Sequence, residues 1–346
     1  MEIDRSIDIG GFAKVNERIW CISYRYNYLF SFDYRTRQLD KAIRIPYGKA
    51  YTRCSIKFIV GYGEYLILPV DKLDRVYRFD TQSEEFECLS DTFLRRFGCV
   101  SDVVSDEIYG VTGNDNFVYK YNLKTFQYEK WEVGNASEQH TLVQCKDNYL
   151  IIAGLESEEV IVWDIDKKKI GKKIHYPEDY SVKHYPLYSF GSISIIDNNI
   201  LMLPQYANMI LNIDLEKARA ISYELDYEPY SYDKGMIYTT SRVIDGKIWT
   251  YSEWKGEWGI IDFYSDEVEH FKTDLDEKQL EEFDRESLFT NNQYGEEGIE
   301  TVYVETEFYK HYINLRKLIN DIQKAHTIRN TGFEEKIGER IYRKLI

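Results

Sequence analysis

The strongest constraint on how this chain folds is a stretch of seven or eight residues that returns six times. It reads LFSFDYRT (Leu29–Thr36), VYRFDTQS (Val76–Ser83), VYKYNLKT (Val118–Thr125), VIVWDIDK (Val160–Lys167), ILNIDLEK (Ile210–Lys217) and GIIDFYS (Gly259–Ser265). Each copy is an apolar run followed by an acid or amide: Asp33, Asp80, Asn122, Asp164, Asp214 and Asp262. Successive copies lie 42–50 residues apart. Short strands that return at such a period are the pattern of propeller blades.

A second apolar run begins 14 or 15 residues before each Asp or Asn, as at Ile19–Ile22, Ile108–Val111 and Ile200–Leu203. A fixed interval between two apolar runs means one hairpin, repeated. Turn-forming residues precede several of these runs, namely Asp106-Glu107, Asp147-Asn148, Asp197-Asn198-Asn199 and Asp245-Gly246. One unit then holds four strands, exemplified by Ser192–Ile196, Ile200–Leu203, Met209–Ile213 and Ala218–Glu224. The expected fold is all-β: a six-bladed β-propeller of four-stranded antiparallel blades near residues 10–46, 52–91, 93–133, 136–178, 185–225 and 230–274.

Residues 1–274 form the propeller in this reading, and 275–346 a mostly helical C-terminal extension. Phe308–Ala325 and Phe333–Ile346 carry apolar residues at helical spacing. The last blade has four strands of its own, so Met1–Ile9 is not required to complete it. That segment would add an outer strand or cover an edge. Trp20, Tyr65 and Trp249 are expected on inner strands as packing residues. The recurring Asp is expected to bond the backbone of the next turn. Asn27, Asp74, Asn116, Glu158 and Asn208, six residues upstream of it, are expected to close the hairpin between strands two and three.

The formal net charge of -15 repels phosphate backbones, which argues against a general nucleic-acid binder. Five cysteines without a C-x-x-C spacing read as reduced core thiols, mostly in strands. MEIDRSIDIGGF lacks the basic and apolar regions of a signal peptide, and no apolar run approaches the roughly 18 residues of a membrane span, so a cytoplasmic chain is expected. No nucleotide-binding loop or nucleophile elbow occurs, and the six histidines show no metal-ligand spacing. No catalytic residue, metal or cofactor is expected.

The run LMLPQYANMILNIDLEKARAISYEL and its five relatives resemble kelch-like and YncE-like bacterial propellers. The paired glycines of kelch repeats, a regular Trp-Asp ending and the sialidase box are missing. The resemblance therefore implies a fold and carries over no catalytic residue.

In such a fold the turns between strands two and three share one face with the connections between blades. That face is rich in Tyr, Arg and Trp, the composition of a recognition surface. Its candidate ligand-binding residues are Tyr26, Arg53, Arg96, His140, His184, Tyr206 and Trp254. The expected function is a non-catalytic binding or scaffold module that recognises a protein, peptide or carbohydrate. The C-terminal helices would dock a second partner or a second copy. The alternative is a hydrolase or lyase acting on a sugar-like substrate, with acidic residues converging on the channel.

Overall fold

The computed structural model describes residues 7, 9–23, 26–46, 56, 58–70, 75–155, 157–182, 189–224, 237–253, 255–265, 267–273, 275 and 278–279. Blade one comprises β1 (Ile9–Val15), β2 (Arg18–Ser23), β3 (Tyr28–Asp33) and β4 (Leu39–Arg44). Blade two comprises β5 (Val60–Tyr62), β6 (Tyr65–Val70), β7 (Arg75–Asp80) and β8 (Phe86–Leu89). Blade three follows a short 3-10 helix (Phe93–Arg96), with β9 (Cys99–Val100), β10 (Glu107–Val111), β11 (Phe117–Asn122) and β12 (Tyr128–Glu132). Blade four holds β13 (His140–Lys146), β14 (Tyr149–Gly154), β15 (Glu159–Asp164) and β16 (Lys169–His175). Blade five holds β17 (Phe190–Ile196), β18 (Asn199–Pro204), β19 (Met209–Asp214) and β20 (Arg219–Glu224). Blade six holds β21 (Thr240–Ile244), β22 (Lys247–Ser252), β23 (Glu257–Asp262) and β24 (Glu267–Phe271).

Each blade is one sheet whose strands pair in chain order and antiparallel, as the hairpin repeat predicts. The apolar second and third strands lie in the middle of each sheet and are mostly buried or half-buried. The fourth strands are largely exposed: four of the five residues of β12 are exposed, whereas five of the six residues of β2 are buried. Burial then falls between blades. Six apolar clusters fill the six gaps, one per neighbouring pair.

The recurring acid does what its position requires. Asp33 Oδ1 accepts from the N–H groups of Arg35 and Thr36, both at 2.9 Å. Asp80 serves Gln82 and Ser83, and Asn122 serves Lys124 and Thr125. Asp164 and Asp214 accept from Lys167 and Lys217, and Asp262 from Tyr264 and Ser265. Four residues after the acid, Arg37, Glu84, Phe126, Lys168 and Ala218 adopt left-handed φ values of 49–60°. The side-chain acceptor fixes the turn that this conformation needs. Upstream, the carbonyls of Asn27, Asn116 and Glu158 take the N–H of Ile45, Val133 and Tyr176, which anchors the end of each fourth strand. Asn208 instead bonds Ser181, and Asp74 lies outside the described residues.

Several expectations need correction. Trp20, Tyr65 and Trp249 sit on second strands, one place out from the channel; the two tryptophans are buried and Tyr65 is half-buried. Ile9 opens the inner strand of blade one, so it is no outer addition. Cys88 is exposed, although Cys21 is buried and all four described thiols are free. The helices expected within 275–346 lie outside the described residues. Among the described residues no helix is long and apolar enough to cross a membrane.

Candidate functional site: the channel mouth

The innermost strand of each blade is an edge strand, so its unpaired backbone N–H and C=O groups face the central channel. Three of these strands begin with a bulge. The register slips between Ile9 and Gly11, between His140 and Leu142, and between Phe190 and Ser192. The residue before each slip is buried: Ile9, His140 and Phe190. The extra residue, Gly10, Thr141 or Gly191, lines the channel mouth. A bulge re-aims the chain in this way without losing the pairing that follows. At Gly191 the approach of blade six leaves no room for a side chain, because a Cβ there would lie 2.5 Å from the carbonyl oxygen of Tyr238.

The mouth opens into a cavity of about 480 Å³ that draws its walls from all six blades. Thr112, Asn114, Thr141, Gln205, Thr239 and Thr240 supply neutral polar groups. Among the described residues, Arg242 is the one charged side chain in the lining. It projects from β21 at a register position that carries Ala13, Gln144 and Ser194 in other blades. These lie opposite Trp20, Ile151 and Leu201, as Arg242 lies opposite Trp249.

Arg242 reaches across the ring. Its Nη1 lies 3.5 Å from Asp102 Oδ1 of blade three, the blade opposite blade six in a ring of six. Asp102 is held from the side by Gln144 of blade four. Gln144 Nε2 donates to Asp102 Oδ2 at 2.9 Å, and Asp102 N–H donates to Gln144 Oε1 at 2.9 Å. Beside this bridge, Ser192, Ser241 and Ser194 form a buried hydroxyl chain with 2.6 Å links between blades five and six.

The one thiol in the described lining, Cys99, has its pKa raised, chiefly by burial. Among the described residues no group of three or more His, Cys, Asp or Glu is placed to hold a metal ion.

Four of the sequence-derived candidates, Tyr26, Arg96, His140 and Tyr206, are among the described residues. Tyr26 is 1% exposed and packs edge-on to Phe30, with ring centroids 6.4 Å apart. His140 is also 1% exposed; its Nε2–H donates to the carbonyl of Val133 at 2.8 Å, and burial lowers its pKa. Tyr206 is half-buried against the cluster between blades five and six, beside the cavity residue Gln205. Arg96 is exposed at the end of the 3-10 helix, its guanidinium 5.4 Å from the Phe93 ring centre. Arg53, His184 and Trp254 lie outside the described residues. Arg242 and Gln144 carried a signal that loop composition hides: they are polar exceptions at a repeat position that is otherwise small or apolar.

A ring of six four-stranded antiparallel blades defines the chain as a six-bladed β-propeller. It is structurally similar to virginiamycin B lyase from Staphylococcus aureus (TM-score 0.54, 9% identity, 78% of this chain and 85% of that one). A streptogramin B lyase structure gives a TM-score of 0.54 at 10% identity over 80% and 86% of the two chains. A catalytically inactive form of the S. aureus enzyme with quinupristin gives 0.52 at 10% over 78% and 86%. At these identities the likeness is one of fold. No protein-family model and no curated relative matches the sequence.

Proposed function

We propose that the propeller is a non-catalytic binding module whose ligand, a peptide segment or a carbohydrate, enters the channel mouth. The observation that carries this reading is the cavity of about 480 Å³, whose walls combine apolar side chains with neutral hydrogen-bonding groups on the inner strands and the turns beside them. Pockets of a few hundred Å³ with a few fixed polar groups are the usual form of small-ligand sites. Hydroxyl and amide groups suit sugar hydroxyls or peptide amides, and groups already positioned before binding lose little entropy on contact. Arg96, Tyr206, Arg53, His184 and Trp254 are candidates for the outer part of the contact. A second partner for 275–346 rests on helical spacing in the sequence.

The test is a variant that fills the mouth. Thr141→Trp places a large ring at the bulge of β13. Against an array of glycans and peptides, it is expected to lose the ligands that the wild-type protein captures while melting at nearly the same temperature. Capture unchanged by Thr141→Trp would move the site elsewhere. Conversion of a captured ligand into product would replace the binding reading with the hydrolase or lyase alternative.

A further inference from the structure

We propose that Arg242 is a receptor for a carboxylate carried by the ligand, an assignment that rests on the mouth being the binding pocket. Arg242 is the one charged group lining the cavity among the described residues, and its side chain is 21% exposed. A guanidinium presents five N–H donors in a planar fork that matches a carboxylate. Charge-assisted hydrogen bonds between such groups run at about 2.7–2.9 Å. The contact with Asp102 is longer, 3.5 Å, and involves one nitrogen.

Asp102 is meanwhile committed to its neighbour. Gln144 engages one of its oxygens and its N–H, and the carboxylate is 51% exposed to solvent. It therefore stays near Arg242 without occupying the fork. A ligand carboxylate would exchange one long contact for two short parallel ones. The net charge of -15 gives no long-range attraction for such a ligand. Selection must act at close range, and Arg242, the one charged side chain among the described lining residues, is placed to do that.

A purely structural bridge between opposite blades makes different predictions. The experiment follows the Nε–Hε signal of Arg242 by NMR in the full chain at constant ionic strength. Sodium formate and acetate are the carboxylate probes, and acetamide is the neutral control of the same shape. Saturable shifts are expected with formate and acetate, and none with acetamide. Arg242→Lys keeps the charge without the fork and is expected to weaken acetate by about fivefold, read on Gln144 side-chain amide signals. Asp102→Asn removes the competing charge and is expected to tighten acetate by about threefold. Shifts that acetamide reproduces, or an affinity that Asp102→Asn leaves unchanged or weakens, would overturn the assignment. The two readings fail separately. Acetate bound at Arg242 with ligand capture indifferent to Thr141→Trp removes the pocket reading alone. Capture that does not distinguish a ligand acid from its amide removes the receptor alone.

Discussion

The imidazole of His140 occupies the place that Ile9 and Phe190 take in blades one and five, one residue before the bulge of the inner strand. The backbone there is fully used: its N–H donates to the carbonyl of Asp115 and its carbonyl accepts from Gly113, both at 3.0 Å. In the sequence, His140 stands at the start of a blade and reads as a loop residue. The register of the neighbouring inner strands, visible only once paired, makes it a core residue. Arg242 is the converse, because its run SRVID looks like any strand. Burial lowers the His140 pKa from 6.5; Asp115 and Glu138 oppose that shift and Lys173 adds to it. The folded state therefore binds its proton less readily than the unfolded chain. Its stabilising contribution is complete above pH 6.5 and is lost as pH falls through the depressed folded value. His140→Phe, which installs the residue of blade five, is expected to remove that dependence. The melting temperature of the variant relative to wild type should rise as pH falls from about 8 to about 5. A flat difference would mean that the ring titrates as a solvated group.

The hairpins were legible to within a residue or two, because the apolar period and the Asp or Asn at the third strand's end are local facts. Met209–Ile213 was expected for the strand observed at Met209–Asp214. The inner strands were less legible. β5 has three residues and β9 two, and the extra residues of the bulges sit unmarked inside apolar runs. Their lengths are set by how neighbouring blades meet, and no period within one repeat encodes that. The side-chain acceptor of the third hairpin turn gives an element-level prediction. Asn122 Oδ1 accepts from the N–H of Lys124 at 3.0 Å, the N–H of Thr125 at 2.8 Å and the hydroxyl of Thr125 at 3.1 Å. These bonds hold the turn in which Phe126 carries a φ of 59°. Asn122→Ala is expected to cost about 1 kcal/mol in urea unfolding, the usual net worth of such bonding. Asn122→Asp, the residue of the other five blades, should be nearly neutral. Equal loss in both variants would show that the amide N–H₂, and not the acceptor, matters.

Blade number followed from counting repeats, but the channel's contents did not, since Arg242, Asp102 and Gln144 meet only when the ring closes. Among the described residues, ring closure shares no strand between blades one and six. Blade one is built within Ile9–Arg44 and blade six within Thr240–Phe271. Among the described residues, side-chain contacts join them. Thr239 Oγ1 donates to the carbonyl of Ile9 at 3.0 Å, Lys14 pairs with Asp245 at 2.8 Å, and Arg37 pairs with Glu269. The ion pairs are partly exposed and each is worth little. The apolar cluster at this seam has to do most of the work, and Trp258 is at its centre. It is fully buried, meets Phe12 and Phe32 of blade one at 4.9 and 5.2 Å, stacks on Phe271 at 6.0 Å, and donates to Thr273 Oγ1 at 3.0 Å. Trp258→Ala should cost about 3–5 kcal/mol. In a ring of units that touch only their neighbours, the loss should appear first as opening at one interface. Hydrogen exchange is then expected to quicken in β1, β2, β21 and β22, with blades three and four little changed. Uniform acceleration through all six blades would show that the ring opens only by unfolding as a whole.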